Sequence, residues 1–231
     1  MGCEGGRGAM MARRSTDERM LRMALPKGSL YRESVALLAR AGYDTTGLAD
    51  PGRQLTLRAG DIEFIIGKPT DIPVYVAHGA VDVAIAGKDT LVESALDVVE
   101  MVDLRFGACR FVVAEPEDAP RSVAEIYRHL GVIRVATKYP RVTEQHFASR
   151  GLQVELVKLS GNIELAPLIG LADQVVDITA TGRTLSENKL RIVDEVLTST
   201  ARFVANPVSL KMNSDRVTGL ASALAAAAVA D

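Results

Sequence analysis

From Leu21 onward, short apolar runs rich in β-branched residues alternate with segments whose apolar residues recur at helical spacing. The runs "LRMALP", "DIEFIIG", "VDVAIAG", "RFVVAE", "IRVATKY", "QVELVKL", "QVVDITA" and "ARFVANP" read as strands. Between them the pattern predicts a helix capped by Ser29 and running through Ala41, and one starting near Pro73, which suits a first turn. Further helices are expected at Ser122–Leu130, Val142–Arg150, Ile163–Leu171 and Thr184–Lys189, and a last one from Pro207 into the alanine-rich end. Continuous apolar strands alternating with helices imply an α/β fold with largely parallel sheets covered on both faces.

The strand ends sharpen this picture. Glycine or polar residues stand at Lys27-Gly28, Lys68 and Gly87-Lys88-Asp89, and again at Thr137-Lys138, Ser160-Gly161 and Thr179–Thr184. In open α/β sheets ligands bind beyond the carboxyl ends of strands, so two groups of such ends suggest two lobes facing each other across a cleft.

The chain has 231 residues, 48% of them hydrophobic, which is enough for one large or two small cores. Its formal charge of −2 argues against a nucleic-acid protein, and the absence of Trp against a base-stacking platform. No apolar run is long enough to span a membrane. With only Cys3 and Cys109, neither a Cys₄ zinc site nor a CxxC redox pair can form, and a reduced, cytoplasmic protein is the simple reading. His78, His129 and His146 each fall in a helical pattern and read as surface or packing residues rather than metal ligands. Residues 1–19 lack the apolar centre of a signal peptide and read as a disordered leader or an over-long start, since Met10, Met11 and Met20 follow.

The chemically informative stretch is "VVDITATGRTLSEN", Val175 to Asn188. A buried strand ends at Asp177, and Thr179, Ala180, Thr181, Gly182, Arg183 and Thr184 then lead into a helix. Backbone N–H groups and hydroxyls so placed hold a phosphate, while Asp177 could accept hydrogen bonds from a ribose diol. The same spacing equally fits a plain capping box, Thr184 with Glu187, and Arg183 suits either a phosphate or solvent. Lys27, Lys68 and Lys88, beside Gly28, Asp71, Gly87 and Asp89, suit a polyphosphate or ordinary solvated turns. Ser160-Gly161 precedes another helix with Glu164 in its first turn. No Walker loop is present, because neither Gly67-Lys68 nor Gly87-Lys88 is followed by Ser or Thr.

Together "LPKGSL", "KPTDIPVYVAHGAVDVAIAGKDTL", "VATKYPRVT" and "ELAPLIGLADQVVDITATGRTLSEN" resemble the ATP phosphoribosyltransferases, the first enzymes of histidine biosynthesis, over Leu21 to about Val217. The resemblance implies transfer of the phosphoribosyl group of phosphoribosyl pyrophosphate to N1 of ATP, with Mg2+ carried by the pyrophosphate. It implies a periplasmic-binding-protein-like fold of type II with a double crossover, residues 20–105 plus 202–231 forming one lobe and 106–201 the other. Asp177 and Glu164 would be catalytic, and the loop through Thr184, with Ser160 and Gly161, would hold phosphoribosyl pyrophosphate. Lys27, Gly28, Lys68, Asp71, Gly87, Lys88 and Asp89 would line the nucleotide side, Lys68 replacing the arginine usual in the family. The length matches the family's short form, which implies a hetero-oligomer with a regulatory subunit related to histidyl-tRNA synthetase. Two other classes share some of these features. A non-enzymatic anion sensor would explain the strand ends alone, and an orotate-type transferase would carry two adjacent acids where Val176 precedes Asp177.

Overall fold

A computed structural model describes residues 20–119 and 121–229, so the expected leader at 1–19 lies outside the described residues. The strands sort into two mixed sheets. The first contains β1 (Leu21–Pro26), β2 (Thr56–Ala59), β3 (Ile62–Gly67), β4 (Val83–Gly87), β5 (Val99–Asp103) and β11 (Ala201–Ala205), in the order β2-β3-β1-β4-β11-β5. The second contains β6 (Cys109–Pro116), β7 (Ile133–Thr137), β8 (Val154–Lys158), β9 (Gln174–Thr179) and β10 (Leu190–Ser199), in the order β10-β6-β9-β7-β8. Within each sheet three neighbours run parallel: β3, β1 and β4 in the first, β9, β7 and β8 in the second.

Alternation inside the apolar runs feeds two cores per sheet. In β1, Met23 and Leu25 join one cluster with Phe64, Ile85 and Phe203, while Ala24 faces the other side with Ile72, Val76 and Ala84. Helices α1 (Ser29–Arg40) and α9 (Ser214–Val229) cover the first face, and α2 (Ile72–Ala77) the second. In β9, Val175 and Val176 likewise enter opposite clusters. These faces receive α4 (Val123–Leu130) and α5 (Pro140–Ser149) on one side, and α6 (Leu165–Leu168) and α7 (Arg183–Glu187) on the other. The remaining helices are α3 (Lys88–Ser94) and α8 (Pro207–Met212).

The chain passes between the sheets twice, from β5 to β6 and from β10 to β11. The two passages are bonded to each other: the Leu104 N–H donates to the Ala201 carbonyl and the Ala201 N–H to the Phe106 carbonyl, both at 2.9 Å. This is the double crossover expected of a periplasmic-binding-protein-like fold.

Some local expectations are corrected. Ser29 lies inside α1, and Gly28 takes the cap position with φ of 92°, a backbone conformation that a side chain resists. Thr184 and Glu187 form no capping box: Gly182 is the cap of α7 at φ 77°, and Glu187 instead pairs with Arg183 at 2.8 Å. The helix expected at Ile163–Leu171 shrinks to the four residues of α6. The last helix is broken at Asn213 into α8 and α9, whose Ala227 and Ala228 are packed rather than frayed.

Candidate active site

Because β9, β7 and β8 are adjacent and parallel, the loops after them are neighbours. Register places Thr137 beside both Val176 and Lys158. The sequence Thr179–Thr184, Thr137-Lys138 and Ser160-Gly161 therefore meets at one sheet edge. Asp177, one turn of the pleat before the end of β9, has a side chain only 13% exposed, and its Oδ2 lies 4.0 Å from Lys138 Nζ. Burial raises its carboxyl above the ordinary Asp value. A hydrogen bond from the Ile178 N–H at 2.8 Å and the Lys138 charge oppose this, and the charge of Glu164 reinforces it. Asp177 is thus a desolvated acid whose negative charge is incompletely compensated.

The loop beyond it is shaped by its own threonines. Thr179 Oγ1 accepts the Gly182 N–H at 2.6 Å, and Thr181 Oγ1 accepts the Arg183 N–H at 3.4 Å. Gly182 makes the bend possible through its positive φ. Ala180, Thr181, Arg183 and Thr184 are exposed, with Arg183 turned to Glu187. With five residues, α7 has little macrodipole, so anion affinity here comes from local N–H and hydroxyl groups. Ser160 and Gly161 are exposed in the neighbouring loop, and Glu164 stands at the cap position of α6.

The first sheet presents the matching edge. Parallel β3, β1 and β4 bring Lys68, Lys27-Gly28 and Gly87–Asp89 side by side, and the Lys27 N–H donates to the Gly67 carbonyl at 2.8 Å. Lys27 and Lys68 are exposed. Lys68 precedes the 3-10 turn Pro69–Asp71, which packs beside α3. Asp71 accepts from the Thr70 hydroxyl at 3.3 Å. Lys88 is engaged: its Nζ lies 2.5 Å from Glu100, which also pairs with Arg202. Asp89 Oδ1 accepts from the Ser199 hydroxyl at 3.0 Å, and the Asp89 N–H donates back to that oxygen at 3.0 Å. Gly87 is needed for this close approach, since a Cβ there would stand 2.0 Å from Asp89 Oδ1.

The two edges converge on Tyr139, which follows Lys138. Its ring sits edge-to-face on Phe111 at 4.7 Å. Burial, and then the charges of Asp89 from one lobe and Asp177 from the other, push its hydroxyl far above the ordinary tyrosine value, so it stays protonated. The sequence marks Lys138 only as one of the strand ends and assigns no role to it or to Tyr139. The signal for Lys138 was its place at a strand end, the same signal that marks the other lysines. Tyr139 is read only as the close of "IRVATKY" and as part of "VATKYPRVT".

Of the histidines, His78 and His129 are exposed and His146 is buried against Asp194. Among the described residues no helix is long and apolar enough to cross a membrane, and no group of three or more His, Cys, Asp or Glu side chains could hold a metal ion.

Residues 68–226 match the family model described as ATP phosphoribosyltransferase. An ATP phosphoribosyltransferase of Moorella thermoacetica is 51% identical over 215 residues, covering 90% of this chain and 93% of the relative. One from Rubrobacter xylanophilus is 46% identical over 202 residues, covering 87% and 94%. Among solved structures, the ATP phosphoribosyl transferase (HisG:HisZ) complex from Thermotoga maritima superposes with a TM-score of 0.77 at 32% identity, over 92% of this chain and all of that one. The periplasmic aliphatic sulphonate binding protein of Escherichia coli, at 15% identity and TM-score 0.57 over 90% and 72%, shares the fold alone. Matched by the family model over most of its length, by relatives at 46% and 51% identity and by a solved structure at 32%, the chain belongs to the ATP phosphoribosyltransferase family.

Proposed function

We propose that the family's reaction takes place between the two facing strand edges, with Asp177 at its centre. The enzyme transfers the phosphoribosyl group of phosphoribosyl pyrophosphate to N1 of ATP, giving N1-(5-phosphoribosyl)-ATP and pyrophosphate, the first step of histidine biosynthesis. The N1 lone pair attacks C1 of the ribose as the C1–O bond breaks, its electrons leaving with pyrophosphate. C1 is inverted and carries positive charge in the transition state, so the chain need only position both substrates and stabilise that charge.

The observation that carries this reading is the condition of Asp177. A carboxylate desolvated and only partly compensated gains most when positive charge develops beside it. Glu164, whose charge Asp177 feels, would share in holding the ribose. Thr179, Ala180, Thr181, Gly182, Arg183 and Thr184 would surround the 5′-phosphate, with Ser160 and Gly161 alongside. Lys27, Gly28, Lys68, Asp71, Gly87, Lys88 and Asp89 would face the nucleotide and pyrophosphate from the lobe of residues 20–105 and 202–231, opposite the lobe of 106–201. Lys88 would first have to leave Glu100. A magnesium ion would be held mainly by substrate oxygens and water, as Mg2+ prefers, with Asp71 and Asp89 on the same side of the site. When bound, it supplies positive charge to the departing pyrophosphate.

The Thermotoga maritima structure is a complex with a second protein, which supports assembly of this chain with a regulatory subunit related to histidyl-tRNA synthetase. A free, half-buried Cys109 fits a reducing cytoplasm. The test is the ultraviolet change on N1 ribosylation, followed with ATP, phosphoribosyl pyrophosphate and Mg2+, with and without the partner. The reading expects pyrophosphate in equal amount to the ribosylated product. Substrate binding without either product would make the chain a binding protein.

A further inference from the structure

Glu93 lies on α3, in the lobe of the first sheet, and its carboxylate reaches the first turn of α5 in the other lobe. One oxygen accepts the Arg141 N–H at 3.2 Å and the other the Val142 N–H at 3.0 Å. Helix α5 has no cap from its own neighbourhood: Tyr139, at the cap position, makes no side-chain hydrogen bond, and Pro140 follows it. The free N–H groups of this helix start are satisfied from the opposite lobe.

Both ends of this contact are rigidly tied to site loops. Helix α3 opens with Lys88 and Asp89, whose N–H groups are fixed to the Thr200 carbonyl and the Ser199 hydroxyl, each at 3.0 Å. Helix α5 opens directly after Lys138 and Tyr139. There the Tyr139 N–H donates to Thr137 Oγ1 at 2.9 Å, and the Thr143 hydroxyl to the Tyr139 carbonyl at 2.7 Å. Thr137 and Thr143 are fully buried, so this turn has no slack. A shift at Arg141–Val142 passes to Lys138, and through it to Asp177.

We propose that Glu93 is a positioning residue that fastens the two lobes, so that the Gly87–Asp89 loop and the Lys138–Asp177 pair meet in one register. This rests on placing the reaction between the lobes. Two lobes joined by two short passages move relative to one another unless contacts fix them, and Glu93 adds to the bonds that Lys88 and Asp89 make to Thr200 and Ser199 at the edge of the other lobe. Two backbone N–H groups donating to one carboxylate make bonds that are strong for their size. Glu93 itself touches no substrate in this scheme. Its loss should leave binding within each lobe intact and impair the joint arrangement needed for transfer.

The experiment compares full-length parent, Glu93→Ala, Glu93→Gln and Asp177→Asn in steady-state turnover, equilibrium binding of phosphoribosyl pyrophosphate, thermal unfolding and small-angle scattering with both substrates bound. Misplacement of reacting groups by about 1 Å can cost on the order of a hundredfold, so Glu93→Ala should lose roughly ten- to a hundredfold in kcat. Its binding of phosphoribosyl pyrophosphate should stay within about twofold, and its substrate-bound radius of gyration should rise. Glu93→Gln keeps one acceptor of the two and should fall between parent and alanine variant. It is isosteric, so it decides the matter if Glu93→Ala fails to fold. Lowered melting with parental kcat in Glu93→Gln and Glu93→Ala would reduce Glu93 to a local helix cap and overturn the proposal. Parental turnover in Asp177→Asn would instead refute the placing of the reaction, whatever Glu93 does.

Discussion

Lys138 stands just past the end of β7 and Asp177 near the end of the adjacent parallel β9, and their charged atoms are 4.0 Å apart. Lys138 offsets only part of what burial costs the Asp177 carboxylate, whose pKa stays raised. Removing the charge by Asp177→Asn keeps size and most packing. If the carboxylate supports a developing cation, kcat should fall by about a hundredfold or more while substrate affinity changes less. Steady-state kinetics beside equilibrium binding separates the two. A loss confined to affinity would make Asp177 a ribose contact and nothing more.

Thr179 and Thr184 should behave differently although both flank the same bend. Thr179 holds the loop closed through the Gly182 N–H at 2.6 Å, whereas the exposed Thr184 caps nothing. Thr184→Ala should therefore leave the melting temperature near the parent's. It should weaken phosphoribosyl pyrophosphate by about ten- to a hundredfold, the worth of one hydroxyl bond to a charged phosphate at roughly 1.5–3 kcal/mol. Thr179→Ala should lower both affinity and melting temperature. Identical behaviour of the two variants in calorimetry would contradict the loop geometry.

The strand ends were legible because the site's strands other than β8 are central, and their burial writes them as nearly unbroken apolar runs such as "VDVAIAG" and "QVVDITA". The strands missed, β2, β5 and β10, are three of the four edge strands, where half-exposed positions dilute the alternation and β10 adds two register shifts; the fourth, β8, is legible as "QVELVKL". Capping was misread for a related reason. Ser29 and Thr184 have the right chemistry, but the bends before them require a positive φ that Gly28 and Gly182 supply. Tyr139 and Glu93 could not be read at all, because what defines each is a group from the other lobe.

Gly87 offers a test of the nucleotide side. Its φ of −70° suits any residue, so strain is not the issue. A methyl group there would occupy the position of Asp89 Oδ1, at 2.0 Å, and Asp89 would have to leave Ser199. Gly87→Ala should raise KM for ATP by roughly tenfold, with a smaller effect on phosphoribosyl pyrophosphate, if Asp89 lines the nucleotide side. Ser199→Ala should show the same selectivity more weakly. Equal loss for both substrates would mean that the first sheet's edge serves the whole site.

His146 ties α5 to β10 away from the reacting groups and makes stability depend on pH. Its ring is 5% exposed, with Nε2 3.1 Å from Asp194 and Nδ1 3.0 Å from an Arg150 guanidinium nitrogen. A guanidinium only donates, so Nδ1 must accept and the proton sits on Nε2, directed at Asp194. Burial and the Arg150 charge lower its pKa below the ordinary value of 6.5, and Asp194 only partly opposes them. The unfolded chain therefore takes up this proton at a higher pH than the folded one. Its contribution to stability is fully present above about pH 6.5 and declines as pH falls from there toward the folded value. The slope from this one group cannot exceed about 1.4 kcal/mol per pH unit. Urea unfolding between pH 5 and 8 should show stability rising with pH on the acidic side. His146→Gln, which cannot titrate, should flatten that rise even if it lowers stability throughout. An unchanged slope in the variant would assign the acid sensitivity to other groups.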